Sequence, residues 1–328
     1  MLPELERVPR LPLAIIPTPL QEAPRLAEAI GIDRLLIKRD DNTGLALGGN
    51  KARKLEYLLA DAIKKGADIL LTIGAPQSNH CRMTAAAARI AGMDAHFVFN
   101  FPPVKEVQGN LILDELMGAT WSFSPDKPAA ERMAELAEEL RSSGRNPYTI
   151  PGGGSNGLGA LGYVRCGFEL QEQLRARSEK PRYVVCAGGS CGTMSGLTLG
   201  LALAGSEATL AAVSISNSVP DRVAKTRQIM EESCEIIDLA LPDVLPEVWG
   251  GYVGAGYGMP TQQSTRALQT AARTEGLILD PVYTAKAFGG LMGEIEGGRI
   301  AHDDLVVFVH TGGMPALFAD PNLYWRPD

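Results

Sequence analysis

Apolar positions along this chain fall into two alternating rhythms. Blocks of strand length lie at 68–73, 96–99, 121–123, 147–150, 183–187, 209–214 and 305–310. Between them run stretches of helical spacing at 79–91, 111–117, 129–142, 195–204, around 223–232, and 262–275. The spacing is clearest after residue 51, where Ala52, Leu55, Leu58, Leu59 and Ala62 form a stripe and Arg53, Lys54, Glu56 and Asp61 fall largely off it. A last helix follows DPVYTAKAFGG and runs to Ile295. This alternation predicts an α/β fold of two open, mostly parallel twisted sheets with helices on both faces. No segment repeats at a fixed period. The 238–260 stretch, rich in Pro, Gly, Trp and Tyr, reads as a lid or an interface, and Tyr257 within it as a substrate contact.

Ligands bind α/β sheets at the carboxyl ends of strands, so the turns after the strands carry the candidate chemistry. Lys51, preceded by Gly48, Gly49 and Asn50, opens the first amphipathic helix. The positive end of the helix dipole and any burial lower the pKa of an amine placed there, which makes Lys51 a candidate nucleophile. GGNK is not a nucleotide P-loop, because that motif needs glycine directly before the lysine and a hydroxyl directly after it. In AGGSCGTMSG, the backbone N–H groups of Gly188, Gly189, Ser190, Cys191, Gly192 and Thr193 can converge on an anion, with two hydroxyls added. A phosphate suits that cup. Gln77, Ser78, Asn79 and His80 stand at another helix start and suit a substrate carboxylate, although N-capping by Ser78 or Asn79 also accounts for one of them. DPVYTAK and HTGG each end an extended stretch and can aim the hydroxyls of Tyr283, Thr284 and Thr311 inward.

GLGALG at 157–162 matches the dinucleotide fingerprint G-x-G-x-x-G. The acidic residue expected at the end of the next strand is missing, since that strand ends in AGG. The segment GGGSNGLGALG therefore reads as a substrate-side or domain-connecting loop.

Composition narrows the field. The 328 residues suffice for two domains, and the net charge of −7 comes without any block of lysines or arginines, so nucleic acid and anionic membrane are poor partners and a small ligand is expected. The five cysteines are scattered and never in C-x-x-C spacing, which argues against a disulfide framework and a metal site and fits a reducing cytoplasm. The N-terminus has neither the basic region nor the uninterrupted apolar core of a signal peptide, and no apolar run reaches membrane-spanning length.

A helix-start lysine, a carboxylate loop and a phosphate cup together suit pyridoxal 5'-phosphate. KRDDNTGLALGGNKARKLEYLLADA, QSNH, IPGGGSN with GALGY, LDPVYTAKAFGGL and HTGGMPALF closely resemble the D-cysteine desulfhydrase and 1-aminocyclopropane-1-carboxylate (ACC) deaminase family, over nearly the whole chain. The resemblance implies the tryptophan synthase β-like fold (fold type II), with a larger cofactor-binding domain from 1–52 and 160–328 and a smaller inserted domain from 53–159. It implies that Lys51 carries the cofactor, Asn79 bonds the pyridine hydroxyl side, the 188–193 loop holds phosphate, Ser78 meets the substrate, and the chain forms a homodimer. The deaminases resemble SNQ, VYE and HLGG where this chain has His80, Thr284 and Thr311. A threonine cannot hold the pyridine nitrogen protonated as a carboxylate would, and opening a cyclopropane needs that strong electron sink. β-Elimination needs less, with Lys51 taking the α-proton and Tyr283 or Ser78 steering the leaving group. The leaving group stays open. Thiolate from D-cysteine is one reading, and sulfite from L-cysteate is the other, where His80, Arg82, Lys225 or Arg227 would supply donors to a sulfonate. ACC deamination, cofactor binding without turnover, and a nicotinamide dehydrogenase built on GLGALG complete the alternatives.

Overall fold

The computed structural model describes residues 2–215 and 218–319; the last residues assigned to the larger domain, 320–328, lie outside it. Two sheets organise the described chain. The six-stranded sheet has the order β1 (Leu20–Glu22), β2 (Arg34–Lys38), β10 (Leu305–Val309), β7 (Tyr183–Gly188), β8 (Thr209–Ser214), β9 (Glu247–Trp249), and the four-stranded sheet the order β5 (Thr120–Phe123), β4 (Asp94–Phe99), β3 (Ile69–Gly74), β6 (Pro147–Ile150). Every pairing is parallel except β1 with β2. The central strands are buried on both faces, which is why they read as unbroken apolar blocks rather than alternating ones. Two large apolar clusters flank the six-stranded sheet, and a third joins the four-stranded sheet to the helices Lys51–Lys64 and Asn79–Ile90.

The 157–162 segment is a correction. GLGALG is no loop: it opens the 20-residue helix Gly157–Ala176, capped by Asn156, whose Oδ1 accepts the Gly159 N–H at 2.9 Å. Its glycines serve helix packing. A Cβ on Gly162 would lie 2.1 Å from the Arg53 carbonyl oxygen, and one on Gly196 of the facing helix Gly192–Leu203 would lie 2.3 Å from that of Ala160. Only glycine lets these backbones approach so closely. Sequence spacing also misses β9, whose three residues within 238–260 are too few to show a period.

The Lys51 helix is tied to the six-stranded sheet by buried charge. Arg53, two residues beyond Lys51, donates through Nε and Nη2 to Asp40 just past β2, both at 2.9 Å, and through Nη1 to Glu169 on the Gly157–Ala176 helix. Asp40 also accepts from Thr18 Oγ1 at 2.7 Å and Tyr163 OH at 2.6 Å, and Lys38 Nζ reaches Glu169 and Gln173. Removing one member would strand a charge in the interior, so the cluster fixes the helix where Lys51 begins it.

Candidate active site

The strands of both sheets point their carboxyl ends at one cavity of about 380 Å³. β3 delivers Gly74, Ser78, Asn79 and His80; β7 delivers Gly189, Ser190, Cys191 and Thr193; β10 delivers Thr311; Asn50 and Lys51 form one wall. Tyr257 and Tyr283 also line it, from the 238–260 stretch and from the residue before the helix Thr284–Glu296. Four candidates do not line it. Gln77 is spent on the turn before the helix Asn110–Leu116, donating to Gln108 O at 2.9 Å and accepting from Asn110 N–H at 2.9 Å. Gly188 ends β7, and Gly192 N–H donates to Ser155 Oγ at 3.2 Å. Thr284 Oγ1 donates to Asp280 Oδ1 at 2.7 Å, and Asp280 also accepts the N–H groups of Val282, Tyr283 and Thr284. The threonine hydroxyl is thus turned into a carboxylate cap.

Lys51 begins its helix, as the spacing predicts, and burial brings its amine down to about 8, against an upward pull from the Asp280 charge. The preceding turn is strained, with Ala46 at φ 42° and Leu47 at φ 71°. Arg82 holds that turn by donating to Ala46 O at 2.8 Å and Gly48 O at 3.1 Å. Lys54, one turn along from Lys51 and missed by the sequence reading, is buried and donates to Gly153 O and Ser155 Oγ, each at 3.1 Å. Its spacing from Lys51 was the available signal, because residues three apart share a helix face.

The glycine cup has the makings of an anion site. Cys191 sits in it at φ 73°, and the helix Gly192–Leu203 begins there without a side-chain cap. Among the described residues the N–H groups of Gly189, Ser190, Cys191 and Thr193 donate to nothing. Asn50 Nδ2 donates to Thr193 Oγ1 at 2.9 Å, and a Cβ on Gly192 would lie 2.8 Å from Lys54 Nζ, so a lysine amine stands behind the cup. Arg222, a cavity residue outside the sequence-predicted set, donates to Gly189 O at 2.7 Å and braces the same loop.

His80 is buried and bonded through Nε2 to Thr72 Oγ1 at 2.9 Å. The Thr72 hydroxyl spends its proton on Ile150 O at 2.8 Å, so His80 Nε2 carries the hydrogen and Nδ1 is a bare acceptor. Burial, then the charges of Lys51 and Lys54, hold the ring neutral by lowering its pKa well below the ordinary value. Ser78 is the N-cap of its helix, Oγ accepting from Cys81 N–H at 3.2 Å.

The sequence profile described as "Pyridoxal-phosphate dependent enzyme" matches residues 11–312. The chain belongs to that family. It is 42% identical over 325 residues to the D-cysteine desulfhydrase of Klebsiella pneumoniae (strain 342), covering 97% of this chain and 98% of the relative, and 40% identical to that of Yersinia pestis (strain Pestoides F), covering 96% and 97%. Among solved structures, an ACC deaminase homologue superposes with a TM-score of 0.90 at 37% identity, over 99% of both chains. Escherichia coli diaminopropionate ammonia lyase in its apo form, 18% identical with a TM-score of 0.66 over 94% of this chain and 85% of that one, shares the fold. The chain thus has the tryptophan synthase β-like architecture of fold type II, as the motifs imply. Pyridoxal phosphate is the family's cofactor, and the residues present fit it. Unpartnered N–H groups with a lysine behind them match a phosphate, and an amine brought down to about 8 matches an aldehyde.

Proposed function

We propose that the protein is a carbon–sulfur lyase that converts D-cysteine and water to pyruvate, hydrogen sulfide and ammonia. The observation that carries this reading is the 42% identity over 97% of the chain to a D-cysteine desulfhydrase. The cavity geometry supports elimination rather than cyclopropane opening. Asp280 lies close enough for its charge to act on Lys51, but its carboxylate is occupied by backbone N–H groups and Thr284. No free carboxylate among the described cavity residues offers itself to a pyridine nitrogen.

Bound pyridoxal phosphate supplies the electron sink that makes an α-proton removable. Every other role falls to this chain's residues. Lys51 would anchor the cofactor, and its freed Nζ would take the α-proton of the substrate. Gly189, Ser190, Cys191 and Thr193 hold the phosphate through N–H groups and hydroxyls, backed by Lys54. Ser78 and Asn79, at the start of the Asn79–Ile90 helix, hold the substrate carboxylate and the cofactor ring. Tyr283 OH, bonded to Tyr257 OH, delivers a proton to the departing sulfur.

A sulfite-expelling reaction would need donors for a sulfonate. Of the four residues suggested for that task only His80 lines the cavity, and its N–H is committed to Thr72; Arg82 is committed to the 46–48 turn, while Lys225 and Arg227 are exposed. Among the described residues no helix is long and apolar enough to cross a membrane, and all five cysteines are buried and unpaired. That supports a cytoplasmic setting, and a homodimer is the assembly we propose, to be read by light scattering. The deciding experiment is sulfide and pyruvate release from D-cysteine, with L-cysteate assayed in parallel for sulfite. Sulfide with little sulfite is expected; sulfite without sulfide would end the desulfhydrase reading.

A further inference from the structure

Asn110 lies outside the cavity, yet its hydrogen bonds control one of the cavity's side chains. It opens the helix Asn110–Leu116 and is fully buried. Its Nδ2 donates to Gln77 O at 2.9 Å and to Asn79 Oδ1 at 3.0 Å, while its backbone N–H donates to Gln77 Oε1 at 2.9 Å. Both hydrogens of one amide are therefore spent on the loop that carries Ser78 and Asn79.

The second of these bonds has a directional consequence. With Asn79 Oδ1 engaged by Asn110, the other end of the Asn79 amide must turn the opposite way. That end faces Gly313, where a Cβ would lie 2.7 Å from Asn79 Nδ2, and among the described residues it has no acceptor. Asn79 itself lines the cavity. The cavity is thereby offered a donor and denied an acceptor at this point.

The turn before Asn110 locks this arrangement. Gly109 has φ 54°, and a Cβ there would lie 2.4 Å from Gln77 Oε1 and 3.0 Å from Pro315 O. The Gln77 side chain and the 314–319 turn that follows Thr311 thus both close on the residue before Asn110.

We propose that Asn110 is a positioning residue that sets the polarity of the Asn79 amide, so that Asn79 presents N–H groups to the bound cofactor. The inference rests on cofactor binding and not on the identity of the substrate. Its test is therefore read on the cofactor, and is unaffected if D-cysteine proves the wrong substrate.

Asn110→Asp keeps size and shape but replaces the donor with an acceptor, which forces the Asn79 amide to reverse. The expected result is a shifted visible absorbance maximum of the pyridoxal-phosphate holoenzyme, with cofactor affinity, titrated into apoprotein, lower by about tenfold. In an Asn79→Ala background the same change adds nothing, because its route has been removed. Asn79→Asp, which still accepts from Asn110 but offers the cavity no N–H, shows the spectral shift to expect, and Asn110→Ala, which removes the donor without adding a charge, carries the test if Asn110→Asp does not fold. An unshifted spectrum and unchanged affinity in the variant that folds would overturn the proposal. So would an effect of Asn110→Asp that persists in full beside Asn79→Ala, or a fall in melting temperature with no spectral change.

Discussion

The hydroxyls of Tyr257 and Tyr283 lie 2.5 Å apart, with the two rings edge to face at 75°. Only one of them can donate in that bond, and the remaining proton is available to the cavity. Tyr257 is 44% exposed, whereas Tyr283 is half-buried and burial raises its pKa well above the ordinary value. Tyr283 thus stays protonated across the physiological range.

Tyr283→Phe is expected to lower kcat by about a hundredfold or more, the usual contribution of a positioned proton donor, with a smaller change in KM. Tyr257→Phe leaves the Tyr283 hydroxyl in place and loses less. Steady-state kinetics on D-cysteine decide, and equal losses for both variants would mean that the pair acts as one unit.

The second prediction concerns Lys51. With its amine at about 8 rather than in the usual lysine range near 10.5, half of it is neutral near pH 8. The rate at which apoprotein takes up pyridoxal phosphate should rise from pH 7 to 9 with a midpoint near 8, followed by absorbance in stopped flow. Lys51→Ala should abolish turnover; full activity in that variant would refute the assigned role.

Some of this site is legible in the sequence because it is local. Lys51, Ser78, Ser190 and Thr193 each sit at or beside a helix start, the last three also within a few residues of a strand end, and a strand–turn–helix pattern announces itself by period and punctuation. What the sequence hides is set at a distance. Thr284 looks free to face a ligand until the Asp280 carboxylate is seen to claim its hydroxyl. Asn110 acts on Asn79 across 31 positions, and Asp40 receives Tyr163 across 123. GLGALG misleads for another reason: glycines that admit a phosphate and glycines that admit a neighbouring helix have the same letters, and only the 2.1 Å approach to Arg53 distinguishes them.

The third prediction tests the charge cluster beneath Lys51. Arg53, then Lys38 and Tyr163, overcome the burial that would raise the Asp40 pKa and hold it at about 2, below its ordinary value of 3.8. A depressed acid contributes stability that is complete above pH 4 and is lost as pH falls through 2, here about 2 kcal/mol. Asp40→Ala also leaves the Arg53 guanidinium buried against Glu169 alone, so the neutral-pH loss should reach about 3–5 kcal/mol in urea unfolding. Cofactor uptake should weaken with it, because Arg53 anchors the helix that Lys51 begins.

Asp114 gives the opposite pH sign. It is fully buried one turn beyond Asn110, neither carboxyl oxygen has a hydrogen-bond partner, and burial pushes its pKa up to about 8 against a downward pull from Arg82. Between the ordinary value near 3.8 and 8 the folded state binds the extra proton, so stability from this group is full below pH 4 and is lost as pH rises through 8. Asp114→Asn removes the ionisation but keeps the shape. Its stability in urea should lie near that of the parent at pH 3, where the carboxyl is neutral in both the folded and the unfolded chain, and clearly above it at pH 9, by about 1 kcal/mol or more. A midpoint difference that does not change with pH would show that the Asp114 carboxyl is already ionised in the folded protein, stabilised by Arg82.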